Sequence, residues 1–240
     1  MFRILLFLLF AVLAMIISIP FALITALTAG HDPSKPTHPI PQWIASHPVK
    51  WALSIAGVTI DRRGEENLLQ TPALYVGNHQ GLADIFIAIS YLGSLKTIMA
   101  KKEAEKIPLI HFWMTSFDCI FLDRSNPREG VKALARAEEL LKGGRSVVIF
   151  PEGTRSRGPE MGEFKAGAFK CAVRAGVPIV PFAIDDSYQR WDAEHKLHPG
   201  TVKLAILPAV STESKKTQEL ADEIKSVIQI QLDEFRKEQI

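Results

Sequence analysis

From residue 72 onward, short apolar runs alternate with longer stretches that have helical periodicity. This alternation is typical of a sheet whose parallel strands are joined by crossover helices. We therefore predict an α/β fold with a mostly parallel sheet and crossover helices. At 240 residues the chain is long enough for one such domain and a small appendage, so we expect a single active site. The candidate strands are residues 72–77, 116–122, 146–150, 178–184 and 202–207.

Capping residues fix the helix between the second and third candidate strands. Asn126 is suited to the N-cap, Pro127 to the first turn and Glu129 to a capping box, and Gly143 with Gly144 ends the helix. A second helix is predicted over about 166–175, ending at Gly176, and a long amphipathic helix over about 215–238.

The N-terminus carries the apolar excess of the chain, because the run from Ile4 to Ala29 contains no charged residue. A helix needs about 20 apolar residues to cross a bilayer, so this run predicts an N-terminal membrane helix. Pro20 allows a kinked or re-entrant helix embedded in one leaflet, and the sequence does not decide between the two. A cleaved signal peptide is the weaker interpretation, because its apolar region is about 7 to 15 residues long.

The next segment is rich in proline up to Pro41 and is predicted to be a linker. Residues 42–56 combine Trp43 and Trp51 with Lys50 and aliphatic side chains, a composition suited to a helix at the membrane interface. An ordinary helix packed on the domain fits equally well. The predicted organisation is therefore an anchor over 1–30, a linker and interfacial helix over 31–65, and the α/β domain over 66–240.

The charge balance argues against nucleic-acid binding. The chain has 28 basic and 26 acidic residues, too nearly balanced for a strong overall field. Its two cysteines, Cys119 and Cys171, are far apart and lack metal-ligand spacing, so they predict neither a disulfide framework nor a cysteine-based zinc site.

Three polar clusters follow the first three candidate strands, at the strand ends where α/β sheets bind ligands. They are Asn78 to Asp84, Asp123 with Arg124, and Glu152 to Ser156.

The first cluster has the residues of a general base. A turn can fold Asp84 back onto His79, fixing one ring nitrogen and leaving the other free to take a proton. The chain has no Gly-x-Ser-x-Gly motif, so the attacking hydroxyl is predicted to belong to the substrate. Arg124 can bind a phosphate, whereas Glu152 is better suited to orienting arginine or backbone donors.

These clusters together resemble the glycerolipid acyltransferase family that includes the 1-acyl-glycerol-3-phosphate acyltransferases. The resemblance covers about residues 70–210, with agreement in order and spacing. Its motifs are Asn78-His79 through Asp84, Phe121-Leu122-Asp123-Arg124, Phe150 through Ser156 and Val177 through Pro181, with Phe164 through Phe169 approaching the last.

The resemblance implies that His79, activated by Asp84, is the general base that deprotonates a glycerol hydroxyl attacking an acyl thioester. It implies that Arg124, Glu152, Gly153, Thr154 and Arg155 hold the acceptor's phosphate. Lys101 stands where related sequences carry a basic residue that binds phosphate or supports the oxyanion, and a solvated surface lysine is the alternative. Val177 to Pro181 reads as a buried strand, with a structural or acyl-channel role.

The resemblance also implies the reaction and its setting. We expect phosphatidic acid to be made in phospholipid biosynthesis from lysophosphatidic acid and acyl-CoA or acyl carrier protein, without a cofactor. Thr154 favours this acceptor, because glycerol-3-phosphate acyltransferases usually have glycine there. We expect the protein at the cell membrane, with its catalytic domain on the cytoplasmic face where both donors occur.

Three alternatives remain open at the sequence level. In the first, the acceptor is another lysolipid or glycerol-3-phosphate. In the second, the protein is a non-catalytic lipid-binding protein of the same fold. The third is a metal hydrolase in which His195 and His198 join His79 and Asp84, although His195-x-x-His198 is flanked by Pro199 and Gly200, which are typical of a loop.

Overall fold

The computed structural model describes residues 5–6, 9–10, 12–20, 42–94, 96–116, 119–122, 126–191 and 196–238. Within these ranges helices and strands alternate in chain order: α1 (Gln42–Ile55), β1 (Val58–Arg63), β2 (Leu74–Gly77), α2 (Ala83–Tyr91), β3 (Thr97–Lys101), α3 (Pro108–Ser116), β4 (Ile120–Leu122), α4 (Pro127–Lys142), β5 (Val147–Ile149), α5 (Lys170–Ala175), β6 (Ile179–Asp185), α6 (Ser187–Arg190), β7 (Gly200–Ile206) and α7 (Thr217–Lys237). Three 3-10 helices connect them, at Glu65–Asn67, Lys102–Lys106 and Ala166–Phe169.

Seven strands of the described chain form one sheet in the order β1-β7-β6-β2-β5-β3-β4. The five from β6 to β4 run parallel to their neighbours, while β7 pairs antiparallel with β6. β1 is parallel to β7 and therefore also runs against the five. The predicted α/β fold with a mostly parallel sheet is confirmed.

Helices cover both faces of this sheet. In β2, Leu74 and Val76 face the layer formed by α4, α5 and α7, whereas Tyr75 faces the layer formed by α1 and α2. Successive side chains point to opposite faces of a strand, so a strand covered on both sides must be apolar at consecutive positions. This is why the central strands appear in the sequence as uninterrupted apolar runs.

The helices predicted from capping signals begin and end close to the expected residues. Asn126 caps α4, with its side-chain oxygen accepting a hydrogen bond from the Arg128 N–H at 3.1 Å, and Pro127 occupies the first turn. The predicted 166–175 helix is a 3-10 turn followed by α5, and Gly176 ends it in a left-handed conformation with φ of 66°. The long helix predicted over 215–238 is α7.

Two strands were not expected from the sequence. β1 is an edge strand that carries three charged residues, and β3 ends in an exposed lysine, so neither has a long apolar run. Because β1 pairs with β7, the sheet begins at Val58, ahead of the domain boundary predicted at residue 66. The strand predicted over 116–122 is shorter than expected, since Ser116 still belongs to α3 and β4 starts at Ile120.

The N-terminal predictions fall only partly within the described residues. Residues 12–20 are helical and include Pro20, whereas residues 21–41, with the proline-rich linker, lie outside the described ranges. None of the described helices is both long and apolar enough to span a bilayer. The helix predicted over 42–56 is present as α1, and it packs on the domain through Ala52 and Leu53 while Trp51 is 58% exposed.

Candidate active site

The candidate site lies at the carboxyl ends of the parallel strands. β5 is hydrogen-bonded on one side to β2 and on the other to β3, so the segments that leave these strands emerge side by side. His79 follows β2, Glu152 follows β5 and Lys101 ends β3. Sheet order thus brings together polar residues that are far apart in the chain.

His79 and Asp84 form a buried hydrogen-bonded pair. Nδ1 of His79 is 2.8 Å from Oδ2 of Asp84, and the same oxygen accepts the backbone N–H of Gly81, also at 2.8 Å. Asp84 lies in the first turn of α2, so the turn after β2 folds its carboxylate back onto the ring. The carboxylate holds the proton on Nδ1, while no described residue hydrogen-bonds Nε2. Nε2 is therefore free to accept a proton.

One oxygen of this carboxylate has no hydrogen-bond partner among the described residues. Oδ1 of Asp84 is buried and makes no hydrogen bond within the described chain. The other oxygen, Oδ2, accepts the hydrogen bonds from both the His79 ring and the Gly81 N–H, and so orients His79.

The ring of His79 is also held by stacking. Its centroid lies 4.4 Å from that of Phe150, with 22° between the planes, and Phe150 in turn meets Phe182 edge-on at 5.9 Å. A Cβ at Gly77 would be 2.2 Å from the Phe182 ring, so only glycine fits there. The sequence motif contains Phe150, but its contact with the base was not predicted.

Glu152 uses both carboxylate oxygens to accept backbone hydrogen bonds. Oε1 accepts the His79 N–H at 2.6 Å, and Oε2 accepts the Gly162 N–H at 2.8 Å. Burial raises the pKa of Glu152, while these two hydrogen bonds oppose the rise. The expectation that this residue orients backbone donors agrees with the geometry, whereas direct phosphate binding by its carboxylate stays a prediction.

The loop after Glu152 runs alongside the base. The Ser156 N–H donates to the His79 carbonyl at 2.8 Å, and the Arg157 N–H donates to the Gln80 carbonyl at 3.2 Å. Thr154 and Arg155 are exposed beside this segment, so they are open to an anionic group. Their role in phosphate binding, and that of Gly153, stays a prediction.

Two further cations near this loop were not singled out in the sequence. Arg157 is exposed in a left-handed conformation with φ of 57°. Lys165 is exposed too, and its Nζ lies 2.7 Å from the point where a Cβ on Gly153 would be. The available signal was their position in the sequence: Arg157 directly follows the motif that ends at Ser156, and Lys165 lies within the segment Phe164 through Phe169.

The structure gives less information on Lys101 and Arg124, the other two side chains predicted to bind the phosphate. Lys101 is 63% exposed at the end of β3 and forms an ion pair with Glu103 at 2.9 Å. Arg124 and its neighbour Asp123 lie outside the described residues. The functions assigned to Lys101 and Arg124 therefore stay predictions.

Asn78 has a structural role that the sequence did not reveal. Its side chain donates to the Ile184 carbonyl and accepts the Ile184 N–H, both at 2.8 Å. The amide thereby continues the pairing of β2 with β6 for one residue beyond the strand. The segment Val177 to Pro181 enters β6, where Ile179 and Val180 are fully buried, which agrees with its structural interpretation.

The metal-hydrolase alternative gains no support. Within the described ranges, no group of histidine, cysteine and carboxylate side chains could hold a metal ion. His198 is exposed, and His195 lies outside those ranges.

Comparison with known proteins links this geometry to a family. Residues 59–185 match the family model described as Acyltransferase. The chain is 37% identical over 178 residues to a chloroplast 1-acyl-sn-glycerol-3-phosphate acyltransferase from Arabidopsis thaliana, covering 72% of this chain and 49% of that protein. It is 31% identical over 172 residues to the 1-acyl-sn-glycerol-3-phosphate acyltransferase of Escherichia coli, covering 69% of each chain.

A solved structure shows the same architecture. The crystal structure of the 1-acyl-sn-glycerophosphate acyltransferase PlsC from Thermotoga maritima aligns with a TM-score of 0.79 and 26% identity, over 98% of this chain and 97% of that one. The chain nevertheless spans only about half the length of the Arabidopsis relative.

Proposed function

Because the chain belongs to the acyltransferase family that includes the 1-acyl-sn-glycerol-3-phosphate acyltransferases, we propose that it acylates lysophosphatidic acid. The product is phosphatidic acid, formed by transfer of a fatty acyl group from a thioester to the sn-2 hydroxyl. The observation that carries this proposal is the His79–Asp84 pair at 2.8 Å, whose ring leaves Nε2 without a described partner.

The reaction follows from that pair. Nε2 of His79 takes the proton of the acceptor hydroxyl as its oxygen attacks the thioester carbonyl carbon, and Asp84 stabilises the resulting imidazolium. The tetrahedral intermediate collapses with cleavage of the C–S bond, and the imidazolium returns the proton to the departing thiolate. The products are an ester and a free thiol.

The acceptor's phosphate is proposed to lie against the exposed loop after β5. Thr154 and Arg155 are exposed there. Ser156 of the same loop is hydrogen-bonded to His79, so this loop lies next to the proposed base. Gly153, Lys101 and Arg124 complete the proposed phosphate site. The chemistry needs positioning, a base and oxyanion support, so we propose acyl-CoA or acyl carrier protein as donor and no resident cofactor.

We also propose attachment to the cell membrane, with the catalytic domain on the cytoplasmic face. Apolar side chains on the helical residues 12–20 are exposed, among them Ile16 and Ile17. The same segment touches the domain, since the Nε1 N–H of Trp113 donates to the Met15 carbonyl at 3.1 Å. Lysophosphatidic acid partitions into the bilayer, so an enzyme held there meets its acceptor.

Sedimentation with phospholipid vesicles tests this attachment. We expect the full chain to sediment, and an Ile16→Asp, Ile17→Asp double variant to do so less, because charge at exposed apolar positions opposes burial in lipid. The control is Val131→Asp, which alters an exposed apolar residue of α4. Equal sedimentation of all three proteins would contradict the proposed role of this segment.

The reaction is tested by thiol release from acyl-CoA, with and without 1-acyl-glycerol-3-phosphate. We expect acceptor-dependent release in the wild type and a fall of about 10²-fold or more in His79→Ala, because general-base catalysis contributes roughly 10² to 10⁴. His198→Ala is the matched control, since His198 is exposed and lies on another segment. Undiminished release in His79→Ala would remove His79 from the mechanism.

The same assay separates the alternatives. Equal or better turnover of glycerol-3-phosphate, or of a lysolipid bearing a head group, would reassign the acceptor. Lipid binding without thiol release from either donor, in a folded protein, would instead favour the non-catalytic lipid-binding function.

A further inference from the structure

The main chain of His79 is held on both sides by one segment that follows β5. Its N–H donates to Oε1 of Glu152 at 2.6 Å, and its carbonyl accepts the Ser156 N–H at 2.8 Å. The side chain is fixed separately by Asp84 and Phe150. Every polar group of His79 except Nε2 is therefore engaged with a neighbouring residue.

Glu152 joins this arrangement to a second loop. Its other oxygen, Oε2, accepts the Gly162 N–H at 2.8 Å, so the carboxylate bridges the segment after β2 and the segment before the Ala166–Phe169 turn. The fit is tight, because a Cβ on Gly162 would lie 2.9 Å from Oε2. Such a bridge needs an acceptor at each end, which a carboxylate supplies and an amide does not.

Direct contact between Glu152 and a phosphate fits this geometry poorly. Both oxygens are occupied by backbone donors, the side chain is buried, and its negative charge would repel the phosphate. Thr154 and Arg155, on the same loop, are exposed instead. Within this motif the buried Glu152 holds backbone groups, whereas the exposed Thr154 and Arg155 are accessible to a phosphate.

We propose that Glu152 is a positioning residue, which fixes the His79 main chain and so aims Nε2 at the acceptor hydroxyl. This inference rests on the proposed acyltransferase activity. Glu152 also ties the loop that carries Thr154 and Arg155 to the base, so the distance from the phosphate site to Nε2 is set by this carboxylate bridge.

The test is steady-state kinetics of Glu152→Gln. Glutamine keeps the length but turns an NH₂ group toward one of the two N–H donors, so the bridge opens on one side. We expect kcat to fall about 10- to 100-fold, since a displacement of about 1 Å can cost 10²-fold, with KM for both substrates within about twofold. A raised acceptor KM with unchanged kcat would overturn the proposal and indicate a phosphate-binding role.

A second pair of variants keeps the test independent of the Glu152 substitution. In Gly162→Ala the added methyl pushes against Oε2, so we expect the same loss of kcat with unchanged KM. Gly158→Ala on the same loop is the matched control, because a Cβ there meets nothing within 4 Å. Equal kcat values for Gly162→Ala and Gly158→Ala would overturn the proposal.

The wild-type assay tests the acyltransferase activity, and the variants test the role of Glu152 separately. A wild type that releases no acceptor-dependent thiol contradicts the proposed function itself. An active wild type whose kcat is unchanged in Glu152→Gln and Gly162→Ala contradicts only the positioning role.

Discussion

Lys96 is a buried cation outside the proposed mechanism. It precedes β3 and so lies at the amino ends of the parallel strands, whereas the candidate site lies at their carboxyl ends. Its Nζ donates to the carbonyls of Leu92 and Ser94, just beyond the end of α2. The ammonium also lies 4.1 Å from the ring centroid of Tyr75. These contacts satisfy the amine, but they do not replace the water that burial removes.

This burial predicts a pH-dependent stability. Burial, reinforced by the positive charge of Arg62, lowers the pKa of Lys96 from 10.5 to about 7. Between these values the unfolded chain binds more protons, so the free energy of unfolding gains a contribution that rises with pH. Relative to Lys96→Met, the wild type should gain stability from pH 7 to 10, by at most about 1.4 kcal/mol per pH unit.

Urea denaturation of both proteins across this range measures the effect, with Lys142→Met as a control for an exposed lysine. A constant difference in unfolding free energy between wild type and Lys96→Met would show that Lys96 titrates alike in both states. No such trend is expected for the control, because Lys142 lies on the surface of α4.

At the candidate site, the sequence revealed residues that are close together in the chain. His79 and Asp84 are five positions apart, so a local turn was enough to predict their pairing. The contacts of His79 with Phe150 and Glu152 span more than 70 positions and depend on β2 lying beside β5. Strand order cannot be inferred from local patterns, so these contacts could not be predicted.

Among the elements, α7 shows most directly how packing stabilises the fold. One side of this helix is fully buried against the sheet and includes Ile228, whereas Ile230, two residues later, is 57% exposed. Residues two apart point to different sides of a helix, so the two isoleucines form a matched pair in one element.

Truncation of these two side chains should have unequal effects. Ile228→Ala removes buried methyl groups and leaves a cavity, which we expect to lower the free energy of unfolding by about 2 to 5 kcal/mol. Ile230→Ala should change it by about 0.5 kcal/mol or less, since its side chain is mostly in solvent. Chemical denaturation measures both, and equal losses would contradict the packing described for α7.

Predictability also differed among elements. α4 has an N-cap residue, a first-turn proline and terminal glycines, and these local signals act wherever the helix packs. β1 carries Asp61, Arg62 and Arg63, so its apolar signal is weak, and it is a strand because β7 offers it a free edge. Elements defined by tertiary partners were the ones that the sequence did not reveal.

For the whole molecule, the fold class followed from alternating strand and helix signals, but the arrangement of the sheet did not. Those signals predict parallel strands joined by helices, and five strands obey this. β7 runs against β6, and the described part of their connection, residues 186–191 and 196–199, contains the short α6 and no helix that crosses a face of the sheet. β1 pairs parallel with β7 and is reversed with it.

This reversal determines where the chain enters the domain. β1 runs opposite to the five parallel strands. Its first residue, Val58, therefore lies at the same end of the sheet as the carboxyl ends of those strands, where His79 is found. The last turns of α1, which lead into β1, therefore lie near this end of the sheet, and there Phe10 meets Trp51 edge-on with ring centroids 6.3 Å apart. If residues 12–20 lie in the bilayer as proposed, a lysolipid reaches His79 with its acyl chain still largely in hydrocarbon. Complete extraction of the lysolipid from the bilayer would cost about 0.8 kcal/mol for each methylene exposed to water, so the cost would grow with acyl-chain length. A site next to the membrane-bound segment avoids this cost.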